Sequence, residues 1–262
     1  MRAPDSHAVI ERIQELLASF RLPTLAREMV PTFVKAGRED VLPLLLDVVE
    51  MEAHERHDRR VERLRQASHL PAGKTFDTLE RSRFPRGLLG KFDQLARGEW
   101  VESASNVLAF GLPGRGKSHV ACAIGHALLE LGHSVLFTPT FRLVQELLAA
   151  KRDLQLPRAL RRLDRFDLVI LDDIGYVQQS AEEVEVLFTL MAERYERRSM
   201  LITSNLVFSE WDRIFRNPMT TAAAIDRLVH HSVILEFDVK SYRSEEARQR
   251  AHAAAELPQQ AE

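Results

Sequence analysis

The stretch Gly111-Leu-Pro-Gly-Arg-Gly-Lys117-Ser118 matches in full the pattern of a glycine-rich loop that cradles phosphate. Glycines let successive backbone N–H groups curl around a β-phosphate. The lysine reaches the β- and γ-phosphates, the serine ligates Mg²⁺, and the helix that follows offers its N-terminus to the charge. Gly111, Pro113, Gly114, Arg115, Gly116, Lys117, Ser118 and His119 are therefore the residues expected to hold a nucleoside triphosphate, ATP with Mg²⁺. The flanks agree. Val107-Leu-Ala-Phe110 reads as a short apolar strand running into Gly111, and His119 to Leu131 as a helix ended by Gly132. A glycine-rich turn without a ligand is the plainer alternative, and the strand before it and helix after it count against it.

Outward from this loop the pattern alternates. Ser134 to Thr138 reads as a strand and Phe141 to Arg152 as a helix. Leu168-Val-Ile-Leu171 is a fully apolar strand running into Asp172. Glu182 to Arg197 reads as a helix, Met200 to Thr203 as a strand and Val233 to Phe237 as a last strand. Apolar strands alternating with helices imply an α/β fold with a parallel sheet covered on both faces. In such sheets ligands bind beyond the carboxyl ends of the strands. Asp172-Asp173 lies at one of those ends. Asp172 is placed to hold Mg²⁺, and Asp173 to orient or deprotonate an attacking water. A helix cap or turn is the alternative for the pair in isolation. Thr203-Ser204-Asn205 closes the next strand, where the Asn205 amide can position the same water; a simple turn is the alternative. Charge developing on the γ-phosphoryl group calls for a cation. Arg227 of Asp226-Arg227 is the candidate acting from a neighbouring subunit, and Arg243 of Ser241-Tyr242-Arg243 the candidate acting within its own. A surface ion pair is the alternative for each.

The first part of the chain reads differently. Ile10, Ile13, Leu16, Leu17 and Phe20 recur at helical spacing and end at Leu22-Pro23. Thr24 is placed to cap a second helix that Pro31 interrupts or kinks, and Asp40 to cap a long third one with Pro43 in its first turn. Leu70-Pro71-Ala72-Gly73 breaks the pattern, and Lys74 to Pro85 reads as a connector. The expected organisation is a small all-α N-terminal domain over 1–69, a nucleotide-binding domain over 70–250, and a tail over 251–262 whose Ala, Gln and Glu content suggests fraying. With 45% hydrophobic and 28% charged residues the composition is that of a globular protein. No apolar run is long enough to span a membrane, and the N-terminus lacks the apolar core of a signal peptide. The single cysteine, Cys122, excludes an internal disulfide. A cytoplasmic protein with no membrane partner is expected.

A formal net charge of −2 means that any contact with nucleic acid must come from local patches. Arg56 to Arg65 holds five arginines against Asp58 and Glu62; Arg142 to Arg165 holds seven basic residues against Glu146, Asp153 and Asp164. Either could be a solvated helix face. His230-His231 has no other ligand-like Cys or His spacing around it and reads as packing or hydrogen bonding. Cys122 reads as a small core residue.

Taken together, Gly111 to Ser118, Leu171-Asp-Asp-Ile-Gly-Tyr176, Ala192 to Arg197, Thr203-Ser-Asn205, Phe208-Ser-Glu-Trp211, Asp226-Arg-Leu228 with His230-His231, and Ser241-Tyr-Arg243 resemble the IstB family. These are AAA+ ATPases encoded beside the transposase of bacterial insertion sequences and related to DnaC helicase loaders. The likeness extends to Leu22-Pro23, Leu44-Leu-Leu-Asp47 and the arginine-rich helix end, and so covers nearly the whole chain. It implies a bacterial, ATP-dependent regulator of transposition with a P-loop AAA+ core. Such a protein assembles as an ATP-bound homo-oligomer on double-stranded DNA, deforms it, and engages the partner transposase. By position, Lys117 and Ser118 are the Walker A residues, Asp172 and Asp173 the Walker B pair, Asn205 sensor I, Arg227 the arginine finger and Arg243 the sensor II candidate. Asp173 departs from the glutamate that many AAA+ proteins carry there, and its shorter carboxylate implies slow turnover. The resemblance also points Lys151, Arg152, Arg158, Arg161 and Arg162 toward DNA, with Tyr176 to Ser180 a further candidate for its path. The alternatives are a DnaC-like helicase loader, an ATP-gated DNA scaffold that hardly hydrolyses, and a small-molecule kinase. The kinase is disfavoured because Thr203-Ser-Asn205 and Asp226-Arg227 have no place in one.

Overall fold

The fold was obtained as a computed structural model, which describes residues 6–175, 180–206, 210–211, 222, 226, 228–229 and 232–242. The chain divides into two compact units, Met1–Arg63 and Leu64–Glu262.

The first unit is helical. Its α1 (Ser6–Ser19), α2 (Pro23–Lys35) and the first part of α3 (Leu42–Ser68) enclose a core of Val9, Ile13, Leu16, Leu17, Val30, Leu42 and Val49. Thr24 does not cap α2. Pro23 already occupies the first turn, and Leu22 stands at the cap position with no side-chain bond. A proline there gives up an N–H that had no helical partner, so no capping side chain is required. Pro31 lies inside α2 without ending it. Asp40 sits within a single 3₁₀ turn, Glu39–Val41, with its carboxylate 3.1 Å from Arg38 rather than over the start of α3. The division between units falls within α3, ahead of the Leu70–Gly73 break, because Leu64 and Leu70 pack into the core of the second unit.

In the second unit α4 (Arg86–Leu95) and α5 (Glu99–Glu102) lead into β1 (Asn106–Phe110) and α6 (Lys117–Glu130). Then follow β2 (Val135–Pro139), α7 (Thr140–Arg152), α8 (Leu156–Leu163), β3 (Leu168–Ile174), α9 (Ala181–Arg194), β4 (Ser199–Ser204) and β5 (Ser232–Glu236). The strands form one sheet in the order β2-β3-β4-β1-β5, with every neighbouring pair parallel. Side-chain alternation splits β1 between two cores. Leu108 and Phe110 join α7 and α9 on one face, while Val107 and Ala109 join α4 and α6 on the other. Burial on both faces is why these strands read as continuous apolar runs. Among the described residues no helix is long and apolar enough to cross a membrane.

One buried cation welds the amino edge of the sheet. Arg194, only 1% exposed, donates through Nη1 to Leu163 O (3.0 Å) and through Nη2 to Phe166 O (3.0 Å), Asp167 O (3.3 Å) and Ser199 O (2.9 Å). It thereby joins the end of α8 to the entrances of β3 and β4. Burial pushes its pKa down to about 10, which leaves it cationic at neutral pH. At the same edge Asn106 accepts from Met200 N–H (2.9 Å) and donates to Leu228 O (3.4 Å).

Candidate nucleotide site

The sheet order decides the site. β1 and β3 are both neighbours of β4, so the loop leaving β1 and the acid pair ending β3 emerge from the same edge about 10 Å apart. The strand between them ends in Thr203, Ser204 and Asn205.

The loop after β1 is bent by residues that only glycine suits. Gly111 has φ +148°, and a Cβ there would stand 2.5 Å from Phe237 O. Gly116 has φ +92° and precedes α6 as its N-cap without a side-chain cap bond. Gly116 therefore offers no side-chain acceptor to the first N–H groups of α6, and such a helix start is an anion-binding arrangement. Lys117 is 7% exposed, and its Nζ donates to the carbonyls of Gly111 (2.6 Å) and Leu112 (3.1 Å), folded back over its own loop. Ser118 lies half-buried in the first turn of α6. Gly111 N–H donates to Ser204 O (3.2 Å), tying the loop to the end of β4, and Tyr242 N–H donates to Gly114 O (2.9 Å). Pro113 is exposed at the loop crest. The Arg115 guanidinium turns to Phe237 O (3.0 Å) and Asp238 (2.6 Å). His119 Nε2 is bonded to Thr75 O (2.9 Å). For these two residues the backbone, rather than the side chain, remains toward the loop.

On β3 the apolar strand does not stop at Leu171. It continues through a bulge: Leu171 pairs with Ile202 and Ile174 with Ser204, so one extra residue is accommodated on β3. Asp173 absorbs it with φ +62°, a left-handed conformation that costs a non-glycine residue about 1 kcal/mol or more. Strain of this kind concentrates at functional sites. The bulge turns the half-buried Asp172 and the exposed Asp173 to different directions at the strand end. Thr203 fixes both. Its hydroxyl donates to Asp172 Oδ1 (2.7 Å) and accepts the Asp173 N–H (2.8 Å). The buried Thr140 hydroxyl donates to Asp172 O (3.0 Å). Asn205 Oδ1 is buried without a hydrogen-bond partner among the described residues. A buried amide oxygen left unpaired costs about 1–3 kcal/mol and calls for an explanation.

Thr203 and Thr140 are the site residues that the sequence reading passed over. The signal was present: a threonine ending an otherwise apolar strand beside an acid pair, and another at the helix start after the neighbouring strand. Arg227 and Arg243 lie outside the described residues, as do His230, His231, Tyr176 to Gln179 and the tail beyond Tyr242. Cys122 is fully buried, and burial pushes its thiol up to about 12, as suits a core residue. Of the expected DNA contacts, Arg152, Arg158 and Arg161 are exposed and form no ion pair among the described residues. Arg162 meets Glu146 at 3.4 Å, and Lys151 meets Glu185 at 2.6 Å.

The donors fit magnesium carried by a triphosphate better than a resident ion. Among the described residues no cluster of three or more His, Cys, Asp or Glu could hold a metal by itself. One carboxylate and one hydroxyl beside a phosphate loop are what Mg²⁺ takes when phosphates complete its shell.

Known proteins are similar to this chain over most of its length. The family model described as IstB-like ATP binding protein matches residues 16–251. An insertion-sequence ATP-binding protein of Sinorhizobium fredii is 45% identical over 240 residues, covering 90% of this chain and 80% of the relative. The ATP-binding protein of insertion sequence IS21 from Pseudomonas aeruginosa is 35% identical, covering 91% of each chain. Among solved structures, the DnaC helicase loader is similar with a TM-score of 0.51 at 18% identity, over 64% of this chain and 98% of that one. AMPPCP-bound DnaA from Aquifex aeolicus is similar with a TM-score of 0.53 at 16% identity, over 73% of this chain and 59% of that one. At such identities the structural likeness speaks for the fold alone, a P-loop AAA+ core. The extent of the family match settles the rest: the chain belongs to the IstB-like ATP-binding proteins of insertion sequences.

Proposed function

We propose that this chain binds ATP with Mg²⁺ at the P-loop, hydrolyses it slowly, and uses the ATP-bound state to assemble on duplex DNA and engage the transposase of its own element. The observation that supports this reading best is the convergence at one sheet edge of the Lys117 loop, the Asp172-Asp173 bulge and Asn205, whose Oδ1 is buried without a partner among the described residues. Lys117 exchanges its loop carbonyls for the β- and γ-phosphate oxygens. Ser118 and Asp172 would hold the magnesium, which would neutralise charge on the phosphates. The carboxylate of Asp173, set by the bulge, and the amide of Asn205 orient a water for in-line attack on the γ-phosphorus. The bond to the bridging oxygen breaks, giving ADP and inorganic phosphate, and Asp173 is placed to take the proton from the water. Arg227 of an adjacent subunit, and Arg243 in cis, are the proposed cations for the charge that develops. Lys151, Arg152, Arg158, Arg161 and Arg162 are the proposed DNA contacts.

The test is phosphate release with and without duplex DNA, compared with Asp173→Asn. The variant is expected to bind ATP and to lose release by at least tenfold. If the wild-type chain releases no phosphate even on DNA while still binding ATP, the protein is an ATP-gated scaffold and the enzymatic part of the reading fails. Arg227→Ala mixed with Asp173→Asn tests the finger in trans: partial recovery of hydrolysis is expected, and none would place the arginine elsewhere.

A further inference from the structure

The turns entering the parallel strands β3 and β4 lie at the amino edge of the sheet, opposite the P-loop. Six arginines line one cleft of about 1280 Å³ there. Arg158, Arg161 and Arg162 come from α8, Arg165 from the turn after it, and Arg197 and Arg198 from the turn between α9 and β4. Three carboxylates share the lining, which leaves a formal excess of three positive charges. The neutralisation is partial. Arg162 meets Glu146 at 3.4 Å, Arg197 meets Asp164 at 2.6 Å and Glu193 at 3.4 Å, and Arg198 reaches Asp167 at 2.8 Å, Glu193 and Asp167 lying just beyond the lining. The arginine side of each pair is open to solvent, and surface pairs are worth about 0–1 kcal/mol, so a phosphate can compete with them. Arg158, Arg161 and Arg165 are exposed with no ion pair among the described residues. Beneath them the buried Arg194 fixes the end of α8 and the entrances of both strands, so the two walls of arginines share one rigid floor.

Concentrating like charge in one cleft is unfavourable unless an anion relieves it. The spread of the arginines over two walls suits a row of phosphates better than one small ion. Along the roughly 12 Å length of the eight-residue α8, one strand of a duplex presents about three to four phosphate charges, comparable with the formal excess of three positive charges in the cleft.

We propose that this cleft is where the phosphate backbone of duplex DNA is held, with Arg165, Arg197 and Arg198 as its second wall, on the sheet edge opposite the nucleotide. The proposal rests on the DNA-binding part of the proposed function, and it adds both the place and three arginines to that reading. It also moves the weight away from Lys151 and Arg152, which do not line the cleft.

The experiment is a salt titration of duplex binding by the full chain with Mg²⁺ and a non-hydrolysable ATP analogue, read by fluorescence anisotropy on a labelled duplex. Two triple variants are compared: Arg165→Gln/Arg197→Gln/Arg198→Gln, and the same positions changed to Lys. Each phosphate contact contributes about 0.9 to the log–log slope. The Gln variant is therefore expected to lose about 2–3 from the slope and about 100-fold in affinity, and the Lys variant to keep the slope to within about 1. A second pair, Arg158→Gln/Arg161→Gln on the facing wall, is expected to lose about 2, and it decides the matter if the triple does not fold. An unchanged slope in folded Gln variants, beside a salt-dependent wild type, overturns the cleft and leaves DNA binding standing. A wild-type chain whose duplex binding does not respond to salt overturns both.

Discussion

The two edges of one sheet treat buried polar groups differently. At the amino edge most are spent on the protein itself. Arg194 serves four carbonyls through its two Nη atoms and leaves only Nε unpaired among the described residues, and Asn106 both donates and accepts. At the carboxyl edge they are held less completely. Asn205 Oδ1 is buried with no hydrogen-bond partner among the described residues, Asp173 sits in a left-handed bulge, and Lys117 Nζ is bonded to carbonyls of its own loop. A group already satisfied inside the fold contributes stability and has little left for a ligand. A group buried without a partner lowers stability and gains most from one. The difference therefore separates the part of the sheet that holds the fold together from the part that does chemistry.

Lys117→Ala should give the largest effect at the carboxyl edge. Charge-assisted contacts to two phosphates, at about 1.5–3 kcal/mol each, imply at least a 100-fold loss of affinity for a fluorescent ATP analogue. Affinity within tenfold of wild type would remove the lysine from the site. Arg194→Met is its counterpart at the amino edge. Four carbonyls lose their donor, so urea unfolding should show a loss of about 3–5 kcal/mol, while the folded fraction still binds the analogue. A loss below about 1 kcal/mol would mean that the arginine is no weld.

The two asparagines sharpen the contrast. Asn106→Ala removes two buried hydrogen bonds and strands Met200 N–H, an expected cost of about 2 kcal/mol. Asn205→Ala removes an unpaired acceptor, so stability should be unchanged or rise, by up to about 1–3 kcal/mol less the packing lost with the side chain, while phosphate release falls. Equal costs for the two would erase the distinction between the edges.

Much of this was legible in the sequence, and the limits have physical causes. The phosphate loop and the Leu168–Leu171 strand declare themselves locally, because glycine at positive φ and two-faced burial leave compositional marks. Asp172 and Asp173 were identifiable as an acid pair, but their bulge was not. The φ of Asp173 is imposed by the register of β3 on β4, a relation between residues thirty apart in the chain that no local pattern carries. α4 was passed over although Leu88, Phe92 and Leu95 have helical spacing, because the segment follows a proline-marked connector and reads as its continuation. The cleft was only half visible. Arg158, Arg161 and Arg162 form one run on α8, whereas Arg197 and Arg198 join them only through the pairing of β3 with β4.

Thr203 offers a finer test of how the carboxyl edge is held. Thr203→Val keeps the shape but removes the hydroxyl that bonds Asp172 and Asp173. Phosphate release should fall about 10- to 100-fold with ATP affinity changed by less than about tenfold, and Thr203→Ser should restore most of it. Loss of binding and release in equal measure would make Thr203 a general structural residue rather than one that positions the acid pair.

A small change in stability should come from Asp173→Gly. Glycine takes a φ of +62° without the steric cost borne by aspartate, a gain of about 1 kcal/mol. Its greater freedom in the unfolded chain takes back about half of that. A net stabilisation of about 0.5 kcal/mol is expected in urea unfolding, together with loss of phosphate release. If the bulge is a strain retained for catalysis, stability and activity must move in opposite directions at this one position. A glycine variant that is both less stable and inactive would show that the Asp173 carboxylate makes contacts worth more to the fold than the bulge costs it. The contrast between the two edges would then no longer hold at the residue where it matters most.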